Sequence, residues 1–157
     1  MSQQALLFFV LIAMTQASFG VHFIVGQLSG TLGEHRIYPK NSEIKEFQAD
    51  ETFQGFTHEN GRLKVQECGL YYIYAQVFFE IYNSGPTYHN RVALTVNGAP
   101  FSLMQTGLGG KADYGSRYTG GVVELHKDDY ISLVTVYDSR LWVARRHTFF
   151  GAYRIGE

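Results

Sequence analysis

Six histidines (His22, His35, His58, His89, His126 and His147) are the first candidates for metal or proton chemistry in this 157-residue sequence. No two of them stand two or four residues apart, so neither a strand nor a helix presents a ready imidazole pair to zinc. Single histidines of this kind are expected to be structural or exposed, and no metal or cofactor is expected. Gly107-Leu108-Gly109-Gly110-Lys111-Ala112 has the glycines and lysine of a phosphate loop. Its spacing is wrong, Ala112 stands where Ser or Thr would hold magnesium, and no helical pattern follows. Gly-x-Ser-x-Gly is absent as well, so a hydrolase nucleophile elbow has no candidate. The chain reads as a non-enzyme.

The single cysteine, Cys68, excludes an intrachain disulfide framework and any multi-cysteine zinc site. It is expected to be a small, half-buried thiol, the alternative being an interchain disulfide or a cluster of thiols on an axis. Arg140, Arg145, Arg146 and His147 form a basic patch around Trp142. A solvated loop is the default for such a patch, but Arg and Trp are also the composition of binding hot spots. The formal net charge is −1, which argues against a chain that binds phosphate backbones, so nucleic acid is not an expected partner. No Asn-x-Ser/Thr acceptor is present, since Asn41 and Asn83 each precede Ser directly.

The elements that must position these residues read as strands. A content of 45% hydrophobic and 17% charged residues suits one packed domain, and 15% aromatics with 17 glycines suit short strands and turns. Residues 1–17 carry no charge, and Ala5 to Met14 is an apolar run of signal-peptide length with Thr15 and Ala17 placed for cleavage. A cleaved signal, a membrane anchor and the start of a longer protein remain open, and each points to the exoplasmic side. The expectation is residues 1–17 as signal segment, 18–157 as the domain, and a secreted, extracellular protein, with membrane anchoring as the alternative.

From residue 18 onward, period-2 alternation predicts about ten strands and no helix. The expected strands are 19–25, a ragged one over 47–57, 62–65, 69–79, 91–96, 100–105, 118–125, 130–137 and 147–155. Residues 26–46 are expected to be a long loop with room for a short strand inside it, and 138–146 the last loop. Asn60-Gly61 and Asn97-Gly98 are hairpin turns. Regular spacing without a linker or repeat predicts an all-β, two-sheet antiparallel sandwich.

Strand 69–79 is apolar on both faces. Tyr71, Ile73, Ala75, Val77 and Phe79 form a core face, and Leu70, Tyr72, Tyr74, Gln76 and Phe78 form a second one that also needs cover. The closing strand repeats this, with Phe150 and Ala152 on one side and Phe149, Tyr153 and Ile155 on the other. An apolar second face rimmed by tyrosine hydroxyls is what an oligomer interface looks like from within one chain. The alternative cover is the 26–46 loop folded over the sheet.

The sequence Gly69-Leu70-Tyr71-Tyr72-Ile73-Tyr74-Ala75-Gln76-Val77-Phe78-Phe79 resembles the central strand of the tumour necrosis factor (TNF) ligand family. Gly20-Val21-His22-Phe23, Gly61-Arg62-Leu63-Lys64-Val65, Tyr118 to Leu125 and His147 to Ala152 resemble further family strands in the same order. The tail from Thr148 to Glu157 and the short Asn97–Pro100 turn resemble the ectodysplasin branch most. This resemblance implies a jelly-roll β-sandwich assembled as a homotrimer, a cytokine that clusters cysteine-rich receptors of the TNF-receptor type. It implies an axial face of Tyr72, Tyr74, Gln76, Tyr118, Phe149, Tyr153 and His22, which decides for interface over loop. Receptor contacts are expected from loops 26–46, 83–89, 97–100 and 138–146, with Arg36, Tyr38, Tyr88, Trp142 and Arg145 as candidates. The chain departs from the family in having Met104 and Arg117 where many members bridge two loops by a disulfide. It has no cysteine where one relative holds an axial zinc. The alternative from another class is a structural or pattern-binding head of the complement, collagen-tailed type, against which stand the missing Gly-x-y tract and acidic loop cluster.

Overall fold

The computed structural model describes residues 23–82, 89–107, 111 and 113–157. Two antiparallel sheets face each other across the core. The larger contains β1 (Val25–Thr31), β2 (Arg36–Tyr38), β3 (Phe47–Ala49), β6 (Gly69–Phe79), β9 (Gly115–Leu125), β11 (Ser139–Leu141) and β12 (Ala144–Gly156). Its order is β2-β11-β6-β12-β1-β3, with β9 paired along β6. The smaller sheet contains β4 (Phe56–Glu59), β5 (Arg62–Val65), β7 (Asn90–Val96), β8 (Ala99–Thr106) and β10 (Tyr130–Thr135), in the order β4-β5-β10-β7-β8.

The inward face of β6 is the one read from parity: Tyr71, Ile73, Ala75, Val77 and Phe79 are all fully buried. They meet Leu63, Leu94, Ile131 and Leu133 of the smaller sheet and Phe150 and Ala152 of β12 in one core. Turn chemistry follows the sequence. Asn60 and Asn97 take φ of 52° and 53°, each followed by a glycine near 80°, which is the conformation that Asn-Gly hairpins require. Asn97 also ties two turns together: its Nδ2 donates to Asp129 at 2.8 Å, and its Oδ1 accepts from the Tyr130 amide at 3.0 Å.

The N-terminal third differs from the sequence expectation. Residues 26–46 hold more strand than expected: β1 runs from Val25 to Thr31 and β2 from Arg36 to Tyr38, while residues 19–22 of the expected 19–25 strand lie outside the described residues. Two inward positions of β1, Gly26 and Gly30, are small and flank the fully buried Leu28. A Cβ on Gly26 would lie 2.8 Å from Phe56, and one on Gly30 would collide with the backbone of Val143 and Ala144. The close approach of neighbouring chain thus selects glycine where the pattern asks for an apolar side chain. The expected 47–57 strand divides into β3 and β4, and the expected 138–146 loop contains β11 and the start of β12.

Candidate functional site

The outward face of the large sheet is a ladder of side chains in register across four strands. One rung reads Val122, Tyr72, Tyr153, Val25; the next Gly120, Tyr74, Gly151, Gln27; the third Tyr118, Gln76, Phe149, Ser29. Six of the seven residues expected on an axial face therefore lie together on one surface, and His22 lies outside the described residues. No described segment covers this surface. Tyr72, Tyr74, Gln76 and Phe149 are half-buried, whereas Tyr118 is 58% exposed and Leu70, Val122, Tyr153 and Ile155 are exposed too.

The glycine rung explains how the rings lie. A Cβ on Gly120 would be 2.5 Å from the Tyr72 hydroxyl, and one on Gly151 would be 2.6 Å from that of Tyr74. Each tyrosine thus leans across a neighbouring strand over a position with no side chain. The rings contact one another: Tyr72 lies 5.4 Å from Tyr153 and 6.4 Å from Tyr74 between centroids, and Tyr74 meets Phe149 edge-on at 6.5 Å. The Tyr72 and Tyr118 hydroxyls are 3.4 Å apart. Desolvation among these rings, with the Tyr72 hydroxyl as the next cause, pushes the Tyr118 phenol up to about 12. Burial, and then Asp50 and Tyr153, raise that of Tyr74.

A polar margin joins this face at β1. The Tyr74 hydroxyl donates to Gln27 Oε1 at 2.9 Å, and Gln27 Nε2 donates to Asp50 Oδ2 at 2.6 Å. Ser29 donates to the same oxygen at 2.8 Å. Arg145 Nε stands 3.9 Å from Asp50 Oδ1, so one of the expected receptor contacts lies at the edge of the tyrosine surface. Sequence reasoning missed Gln27 and Asp50 altogether, because both sit in segments that read as loop or ragged strand.

The upper end of the face is a second ring cluster. Trp142 stacks on His147 at 3.9 Å and 14°, meets His35 at 4.8 Å, and takes Phe78 edge-on at 5.8 Å. Trp142 is therefore half-buried, and its indole nitrogen is buried without a hydrogen-bond partner. The loop bearing it is anchored by Asn90, whose Oδ1 accepts from the Arg140 amide at 3.0 Å and whose Nδ2 donates to the Glu80 carbonyl at 3.0 Å. Arg36 is exposed and pairs with Glu46. Tyr38 corrects the expectation: it is only 5% exposed, and its hydroxyl is spent on Glu46 at 3.0 Å, so it has no surface to offer a receptor. Its alternating position on β2 turns it inward, which a reading of 26–46 as loop could not foresee. Tyr88 lies outside the described residues.

Cys68 is exposed rather than half-buried, at the Leu70 end of the face. Met104 is buried in the core, whereas Arg117 is half-exposed and pairs with Asp113. Among the described residues no three His, Cys, Asp or Glu side chains gather as metal ligands, and no helix is long and apolar enough to cross a membrane.

Comparison with known proteins bears on this geometry. A model of the TNF (Tumour Necrosis Factor) family matches residues 47–155. Solved structures share the fold: Eiger TNF from S. frugiperda, at 12% identity and a TM-score of 0.72, covers 86% of this chain and 94% of its own. Murine APRIL, at 20% identity and a TM-score of 0.66, covers 85% of this chain and 99% of its own. Pika GITRL, at 19% identity and a TM-score of 0.55, covers 86% and 97%. A search of curated proteins found no match.

Proposed function

The chain belongs to the TNF family, and from that premise we propose that three copies close around the tyrosine face to form an extracellular cytokine that clusters TNF-receptor-type receptors. The observation that carries this reading is the in-register aromatic surface left uncovered on the outside of the large sheet. Large apolar surface beside phenol hydroxyls is costly in water and is the composition of the core of an interface. A threefold ring hides this surface and presents three identical grooves, so that one ligand brings three receptors together. The work is binding rather than catalysis. Secretion by way of residues 1–17 belongs to the same proposal.

Trp142 and Arg145 stand at the rim of the face and, with the exposed Arg36, are the proposed receptor contacts within the described residues; Tyr88 is proposed with them from its loop alone. The test is the mass of the protein in solution by light scattering on a sizing column. Three times the chain mass is expected, and a folded monomer would remove the clustering mechanism.

A further inference from the structure

Asp50 carries an unmet demand. Its Oδ2 accepts from Gln27 and Ser29, but its Oδ1 is buried without a hydrogen-bond partner. The nearest cation, Arg145, stands at 3.9 Å, beyond hydrogen-bonding reach, with a side chain 62% exposed. Asp50 lines an open cleft of about 350 Å³ together with Gln27, Glu51, Tyr74 and Arg145. A carboxylate oxygen out of water without a donor is costly, and the cost is recovered when a donor enters. The cleft has room for one side chain, and its first claim is for a cation.

Resting on the threefold reading above, we propose that this cleft receives the guanidinium of Arg117 from the neighbouring copy. A ring closed by rotation joins unlike flanks. With the tyrosine face turned to the axis, one flank is β1 with β3, where the cleft lies, and the other is β9 with β8 behind it. The cleft of one copy therefore meets β9 and β8 of the next. Along those two strands Arg117 is the only Arg or Lys. It stands at the right height: it adjoins Tyr118, whose rung ends at Ser29, the residue that bonds Asp50. A rotation adds no shift along its axis, so with the strands running along the axis these levels coincide. Arg117 is also pre-positioned. Asp113 holds one end of its guanidinium and the Ser116 carbonyl accepts from Nη1 at 3.0 Å, which leaves donors of the planar fork to spare.

The experiment measures trimer dissociation by light scattering over a dilution series, for the full chain and for Asp50→Asn, Arg117→Gln and the double variant. Each single substitution is expected to raise the dissociating concentration roughly 10- to 100-fold. The double variant should be no worse than the weaker single, because both remove one interaction. Arg117→Gln leaves Gln27 and Ser29 untouched, so its loss cannot come from the intrachain bonds of Asp50; thermal melts of both variants check the fold. A stable trimer indifferent to either substitution, or strictly additive losses, would overturn the pairing while leaving the trimer standing. A monomeric parent would overturn the threefold reading and the pairing with it.

Discussion

Tyr74 sits at the crossing of the aromatic ladder and its polar margin. Its ring packs on Tyr72, Phe149 and Tyr153, and its hydroxyl reaches Gln27. Tyr74→Phe keeps the ring and removes one hydrogen bond, so unfolding by denaturant should show a loss of about 1 kcal/mol with the assembly intact. Tyr74→Arg places a charge beside its own symmetry copies, and the expected outcome is a folded monomer by light scattering; an unchanged mass would remove Tyr74 from the interface. The raised phenols of Tyr74 and Tyr118 add a pH dependence with a definite sign. A neutral phenol is favoured in the packed state, so its contribution is complete below the ordinary value of 10 and is lost as pH rises beyond it toward about 12. Tyrosinate absorbance and trimer mass should therefore change together on alkaline titration, and dissociation well below pH 10 would exclude these phenols as the cause.

At the scale of elements, the strands that were legible are those with large side chains. β5 and β6 have the limits that alternation predicts, and parity separated the core face of β6 from a second apolar face that the family resemblance then assigned to the interface. β1 was not legible because neighbouring chain crowds two of its inward positions, Gly26 and Gly30, and only Leu28 between them shows the apolar pattern. With β1 went the polar margin, since Gln27 meets Asp50 across 23 residues of sequence and nothing local marks the pairing. The glycines also separate folding from assembly. Gly30→Ala drives a methyl into backbone that cannot give way and should cost about 2–3 kcal/mol in thermal or denaturant unfolding. Gly120→Ala meets chiefly the movable tip of Tyr72, so the melting temperature should hold while the trimer dissociates at higher concentration. Equal losses of fold in both variants would refute that division.

The whole molecule is held by polar staples at its turns and loops as well as by a core. Asp129 accepts from the His126 amide at 2.7 Å and from Asn97, and those donors hold its carboxyl below the ordinary 3.8. Arg62 does the same for Glu43 through hydrogen bonds at 2.7 and 2.8 Å, below an ordinary 4.5. Carboxylates lowered by the fold contribute stability above their unfolded values and lose it as pH falls through the folded ones. Melting temperature is thus expected to be level from neutral pH to about 5 and to drop in acid, with Asp129→Ala, a loss of about 1–2 kcal/mol at neutral pH, showing a shallower drop. A drop as steep as the parent's would place the acid sensitivity elsewhere. At the upper end of this frame, the chain's one tryptophan lies flat on an imidazole, at the rim where a receptor is proposed to dock. Indole emission depends on what the ring is stacked against and changes when the two rings part, so the molecule carries its own unlabelled optical gauge. Light from Trp142 alone reports, in a cuvette, whether the loop has been touched.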